Sequence, residues 1–115
     1  MAAVFGLLEA FRNWRAPAVT VRDGYQEVHV NIKGRYRPDS VEVRTGMPVR
    51  MWFNRAEDEE CSERVIIAGM GIDRYLPAFR ETVVEFLPRE PGTFLFTCQA
   101  GMYRGRLVVR PRRVA

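Results

Sequence analysis

The sequence predicts an all-β domain, a Greek-key sandwich of about seven strands behind a short helical leader. Three observations carry that expectation. From Tyr25 onward apolar and polar residues alternate with a period of two through most of the chain. The alternating runs are short, recur at roughly ten-residue spacing, and are separated by turns rich in glycine and proline. The length of 115 residues, 47% hydrophobic and 28% charged, suits one packed core that needs no crosslinks.

Residues 1–17 read as an amphipathic helix. Val4, Leu7, Leu8, Phe11 and Trp14 fall on one face at helical spacing, Glu9, Arg12, Asn13 and Arg15 fall on the other, and Pro17 ends the run. This stripe is expected to bury itself on the sandwich or on a neighbouring chain, the latter making an oligomer. It also suits a membrane surface. The domain proper is expected over residues 25–111. Val28, Val30 and Ile32 form the inward face of the first strand, with His29 on the polar parity as a surface residue. Gly34 to Asp39 turns the chain, and Val41 and Val43 mark the second strand. Val49, Met51 and Phe53 face inward on the third, which leaves Arg50 and Trp52 on the outer surface, beneath the leader if it packs there. Val65 to Ile67 is a short core strand, and Gly69 to Ala78 reads as a long connection. Glu81 to Leu87, Thr93 to Cys98 and Gly105 to Arg110 complete the seven.

Charge and composition exclude several functions. The 18 Lys and Arg outnumber 14 Asp and Glu to give a net charge of +4. Arg104, Arg106, Arg110, Arg112 and Arg113 lie in a C-terminal segment without acids, which accounts for that excess. With no stacking aromatics interleaved, this is a solvated end, and nucleic acid is not expected as a partner. No apolar run is long enough to span a membrane. The leader lacks the basic start of a signal peptide, so the expected compartment is the cytoplasm, where cysteines stay thiols, with an extracytoplasmic site open if the N-terminus is trimmed. The chain has one histidine, so sites built from two or three imidazoles are ruled out within a single chain. No phosphate loop, triad or carboxylate pair with a substrate role is present, and an enzyme is not expected.

The chemistry concentrates near the last turn. Phe94, Phe96 and Cys98 share a parity, so with both phenylalanines facing the core the Cys98 thiol is expected to point inward at its strand end. Met102 follows four residues later on a loop bounded by Gly101 and Gly105. A thiolate and a thioether on one loop are soft ligands within reach of one ion, though both residue types are also ordinary core fillers. Met70, between Gly69 and Gly71, is a further sulfur that spacing leaves unplaced. The acidic run Glu57, Asp58, Glu59 and Glu60 reads as a solvated loop; leading into Cys61, it would also steer a cation or a basic partner.

The stretch GTFLFTCQAGMYRGRLVV resembles the last two strands and ligand loop of the cupredoxin-like family, whose pattern is close to G-x-Y-x-F-x-C-G-M-x-M-x-x-G-x-L-x-V. GRYRPDSVEVRTGMPVRMWFNR, CSERVIIAGMGIDRYLP and TVVEFLPREPG are similar, in order, to the family's preceding segments, so the likeness spans roughly residues 25–110. Within the family the pattern is most similar to copper(I) chaperones and to the cupredoxin domains attached to copper-exporting P-type ATPases. The resemblance implies copper(I) ligands at Cys61, Cys98 and Met102 and a copper-transporting ATPase or other copper protein as partner. Where the family loop carries glycine and a first methionine, this chain has Gln99 and Ala100, which implies one copper per chain. Two thiolates and a thioether suit a two- or three-coordinate copper(I). The same cysteine pair also admits a disulfide or two inert thiols, and oxidation and metal binding exclude each other. Two other functions stand beside the chaperone: an electron-transfer cupredoxin and a metal-free interaction module.

Overall fold

The computed structural model describes residues 19–112 and is all-β apart from a single 3-10 turn. Ten strands form two sheets. The first contains β1 (Val19–Arg22), β2 (Tyr25–Ile32), β5 (Val49–Arg55) and β8 (Arg80–Phe86) in that order, with the short β3 (Tyr36–Arg37) also paired to β2. The second runs β4 (Ser40–Arg44), β10 (Arg104–Arg110), β9 (Gly92–Thr97), β6 (Arg64–Ile67), β7 (Ile72–Tyr75). The proposed leader, residues 1–17, lies outside the described residues. Among those described, no helix is long and apolar enough to cross a membrane.

Every one of the seven expected strands is present, and three more join them. β1 precedes the expected first strand, β3 occupies the Gly34–Asp39 turn, and β7 lies inside what read as a long connection. Each of the three is four residues or fewer, too short for a period to stand out. The sheets are mixed: β2 pairs with β5, and β4 with β10, in parallel. Alternation gives the face of a residue but not the direction of its strand. Here the chain leaves β2, crosses to β4 in the facing sheet, and returns as β5 running the same way as β2. That is the crossover a parallel pair needs.

The expected parities hold. Val28, Val30, Ile32, Met51, Phe53 and Val84 of the first sheet meet Val41, Val43, Val65, Ile67, Phe96, Leu107 and Val109 of the second, all buried. Fully burying one such side chain is worth roughly 1.5–3 kcal/mol, so the core stands on these facing rows. On the outer surface His29 stacks on Trp52 with ring centroids 6.0 Å apart, while Trp52 Nε1 donates to Glu27 at 2.8 Å. We call the end of the sandwich where β5 and β9 finish the upper end. β6 starts there, so the chain on either side of Cys61 and the chain after Cys98 arrive at the same end by topology.

Candidate metal centre

Cys98 follows β9 directly, and the parity it shares with the buried Phe96 turns its thiol inward to 1% exposure. Phe96 in turn requires a glycine opposite it. It pairs with Gly105 across the β9–β10 ladder, and a Cβ at Gly105 would sit 2.1 Å from the phenylalanine ring. After Cys98 the chain makes a tight turn: Gly101 N donates to Cys98 O at 3.0 Å, and Cys98 N donates to Tyr103 O at 3.2 Å. This turn delivers the Tyr103 backbone N–H to the Cys98 sulfur at 3.2 Å.

Cys61 is half-buried on the 3-10 turn Glu60–Ser62. That turn is held from beneath by Arg55, whose side chain is 1% exposed. Its guanidinium donates from Nε to Ser62 Oγ at 2.9 Å, from Nη1 to Leu76 O at 2.9 Å, and from Nη2 to Glu59 O at 2.6 Å. The planar fork of arginine suits three fixed acceptors in a way lysine would not. Glu57 is buried too, and accepts from Gly34 N at 2.7 Å and from the Tyr103 hydroxyl at 2.8 Å. Burial by itself would raise its carboxyl, but hydrogen bonds from Ser62, Gly34 and Tyr103, with the Arg55 charge nearby, hold it below its ordinary value. The acidic run is therefore only partly a solvated loop. Its first member is a buried strut, while Asp58, Glu59 and Glu60 remain exposed.

The two cysteine segments meet at the upper end. Tyr103 donates its backbone N–H to the Cys98 sulfur and its hydroxyl to Glu57, four residues before Cys61. Its phenol is pushed well above the ordinary range by burial, then by its neighbours Cys61 and Glu57. Gln99 joins the two cysteine segments from outside: Arg64 N donates to its Oε1 at 3.1 Å, and its Nε2 donates to Glu60 O at 2.9 Å. The residue that departs from the family glycine thus bridges the Cys98 loop to the Cys61 turn. Both cysteines are free thiols. Met102 lies on the same loop and is 74% exposed. Met70 belongs elsewhere. It packs at the lower end, where it lines an apolar cleft of about 300 Å³ with Phe86, Leu87 and Phe94.

Among the described residues no group of three or more His, Cys, Asp and Glu side chains converges. The donors at the upper end are two sulfurs and a neighbouring thioether, a set for a soft ion of low coordination number. Sequence comparison assigns the family: residues 2–109 match the cupredoxin-like domain. The chain belongs to the cupredoxin-like family. No curated protein sequence matches it. Among solved structures it is similar to a copper binding protein in the apo form, at 30% identity and TM-score 0.76 over 80% of this chain and 94% of that one. It is also similar to the metal-binding domain, with Cu(I), of the Cu(I)-exporting P-type ATPase CopA of Streptococcus pneumoniae D39, at 25% identity and TM-score 0.78 over 80% and 92%. An amicyanin variant at 24% identity and TM-score 0.53, over 82% and 90%, shares the cupredoxin fold.

Proposed function

We propose that this cupredoxin-like domain binds one copper(I) ion as cargo between Cys61 and Cys98, with Met102 as the third sulfur, and hands it to a copper-exporting P-type ATPase. The observation that carries the reading is the pairing of thiols at one end of the sandwich. One is buried and fixed by its strand, the other is half-exposed on a turn, and Gln99 ties the two segments together. The likeness to a Cu(I)-loaded domain of a copper exporter supports the cargo and the partner. The role is binding and transfer, with no catalysed reaction.

Transfer would proceed by ligand exchange. The exposed Met102 and the half-exposed Cys61 are where an incoming thiolate reaches the ion, while the buried Cys98 keeps hold until last. An electron-transfer role would call for imidazole ligands. The only histidine, His29, stacks on Trp52 on the outer face of the first sheet.

Anaerobic titration of Cu(I) against a chromophoric Cu(I) chelator tests the proposal. One equivalent per chain should be withheld. Cys98→Ser should abolish that retention, Cys61→Ser should cost nearly as much, and Met102→Leu should weaken it only. The leucine keeps the apolar volume, so its loss reports coordination rather than packing. Retention by Cys98→Ser equal to that of the parent would place any site elsewhere.

A further inference from the structure

Three cations crowd the tip of the β2–β3 hairpin. Lys33 N donates to Arg35 O at 3.1 Å, and Gly34 between them takes the left-handed turn at φ 76°, so Lys33 and Arg35 stand on either side of the bend. Below them the ladder pairs Asn31 with Arg37 and Ile32 with Tyr36. Ile32 and Tyr36 are buried, so the period of two turns Asn31, Lys33, Arg35 and Arg37 to the outer face, where all four are exposed. Together these four line a pocket of about 200 Å³. The tip is held from within, because Gly34 N donates to the buried Glu57 at 2.7 Å.

Two features of this pocket point to a ligand. None of the three cations has a carboxylate partner among the described residues, whereas elsewhere on the same sheet face Arg50 is matched by Glu27 and Glu85, and His29 Nδ1 lies 3.8 Å from Glu81. Like charges around one pocket repel, and an anion shared between them relieves that repulsion. The lining also offers only donors. Asn31 Oδ1 is taken by Asn54 Nδ2 at 3.1 Å, which leaves the Asn31 amide nitrogen, and lysine and arginine have no acceptor. The matching occupant has acceptor oxygens alone and more than one negative charge. A phosphate monoester or inorganic phosphate meets both conditions, and guanidinium groups engage its oxygens bidentately. We propose that Asn31, Lys33, Arg35 and Arg37 form a binding site for a phosphate group, carried by a phosphomonoester lipid headgroup or free in solution. The site uses neither cysteine and stands apart from the copper reading.

The test takes the full chain through two titrations, inorganic phosphate followed by backbone amide shifts, and co-sedimentation with phosphatidylcholine vesicles that contain or lack phosphatidic acid. Two variants lose the same charge. One is Lys33→Gln, Arg35→Gln and Arg37→Gln combined; the other combines Arg22→Gln, Arg89→Gln and Arg112→Gln, all exposed and at the lower end. For whichever probe binds, the hairpin variant should weaken binding about tenfold or more, from the loss of at least one charge-assisted bond. The lower-end variant should weaken it by no more than about twofold, since salt screens charges at the far end. Amide shifts with inorganic phosphate, centred on residues 31–37, would identify the free ion as a ligand. Sedimentation that needs phosphatidic acid, without such shifts, would identify the headgroup. Binding of neither probe, or equal weakening by the two variants, overturns the proposal. Cu(I) retention should be the same in the hairpin variant and the wild type, so either result leaves the copper reading to its own test.

Discussion

At the lower end of the sandwich one neutral side chain, Gln26, ties the backbone together. Its amide nitrogen donates to Arg44 O at 2.9 Å and Met47 O at 2.8 Å, and its oxygen accepts from Arg44 N at 2.7 Å. At the upper end the same task falls to charged groups, Arg55 under the Cys61 turn and Glu57 under the Cys98 loop. The difference is instructive. A loop that only closes a fold is served best by neutral groups with every bond made, because buried charge carries a desolvation cost. Charges persist where the state that matters includes something further, here the ion proposed to sit between the thiols.

The largest expected effect in this comparison comes from removing the guanidinium. Arg55→Met leaves Ser62 Oγ, Leu76 O and Glu59 O without their donor. At roughly 1.5–3 kcal/mol for each bond to a charged group, partly offset by relief from burying the charge, unfolding in denaturant should report a loss of about 3 kcal/mol or more. Cu(I) affinity should fall with it, since the Cys61 turn loses its support. Gln26→Leu is the matched break at the other end, expected to cost about 1–3 kcal/mol while leaving Cu(I) affinity unchanged. If both variants weaken copper binding alike, the two ends are not separate devices.

A milder break uses pH. The folded-state pKa of Glu57 is lowered, so its contribution to stability is present above its ordinary value of 4.5 and is lost as pH falls through the lower folded value. Melting temperature of the wild type should decline below about pH 4.5, and the Glu57 share of that decline should vanish in Glu57→Gln. Identical acid profiles for the two proteins would remove Glu57 from the account.

Much of this was legible in the sequence, and the reason is parity. A period of two placed Cys98 inward because Phe96 is inward, and it kept Leu95 out. The same signal ran further than we read it. Val49, Met51 and Phe53 are inward, and the alternation continues through Arg55 and Glu57, both buried. Their charges make the segment look like a solvated loop, yet their positions mark them as core-facing. Strand direction was not legible, because alternation is blind to which way a strand runs, so the parallel pairs came only from the structure. Met70 had no local signal either. Its place at the lower end follows from the β6–β7 hairpin, in a stretch where glycines obscure the strands. Tyr36 sits in a two-residue strand, too short for pattern to reveal.

The smallest effect on stability is expected at Gln99, and it separates holding the fold from holding the ion. Its two hydrogen bonds, to Arg64 N and Glu60 O, are exposed to solvent, so Gln99→Gly should change unfolding free energy by no more than about 1 kcal/mol. Yet these bonds are a direct tie between the loop after Cys98 and the turn carrying Cys61. Without them each thiol keeps its own support, Cys98 from the Tyr103 N–H and Cys61 from the turn above Arg55, but the distance between the two is less constrained. Holding donors in fixed geometry slows the first step of ligand exchange, so the glycine variant should release Cu(I) to excess chelator several-fold faster in stopped-flow mixing. Gln99→Glu refines the result. It keeps an acceptor for Arg64 N, loses the donor to Glu60 O and sets a carboxylate against that carbonyl, so it should release at least as fast as the glycine variant. Release rates equal to the wild type in both variants would mean that Gln99 is a surface residue whose bonds do not govern the thiol pair.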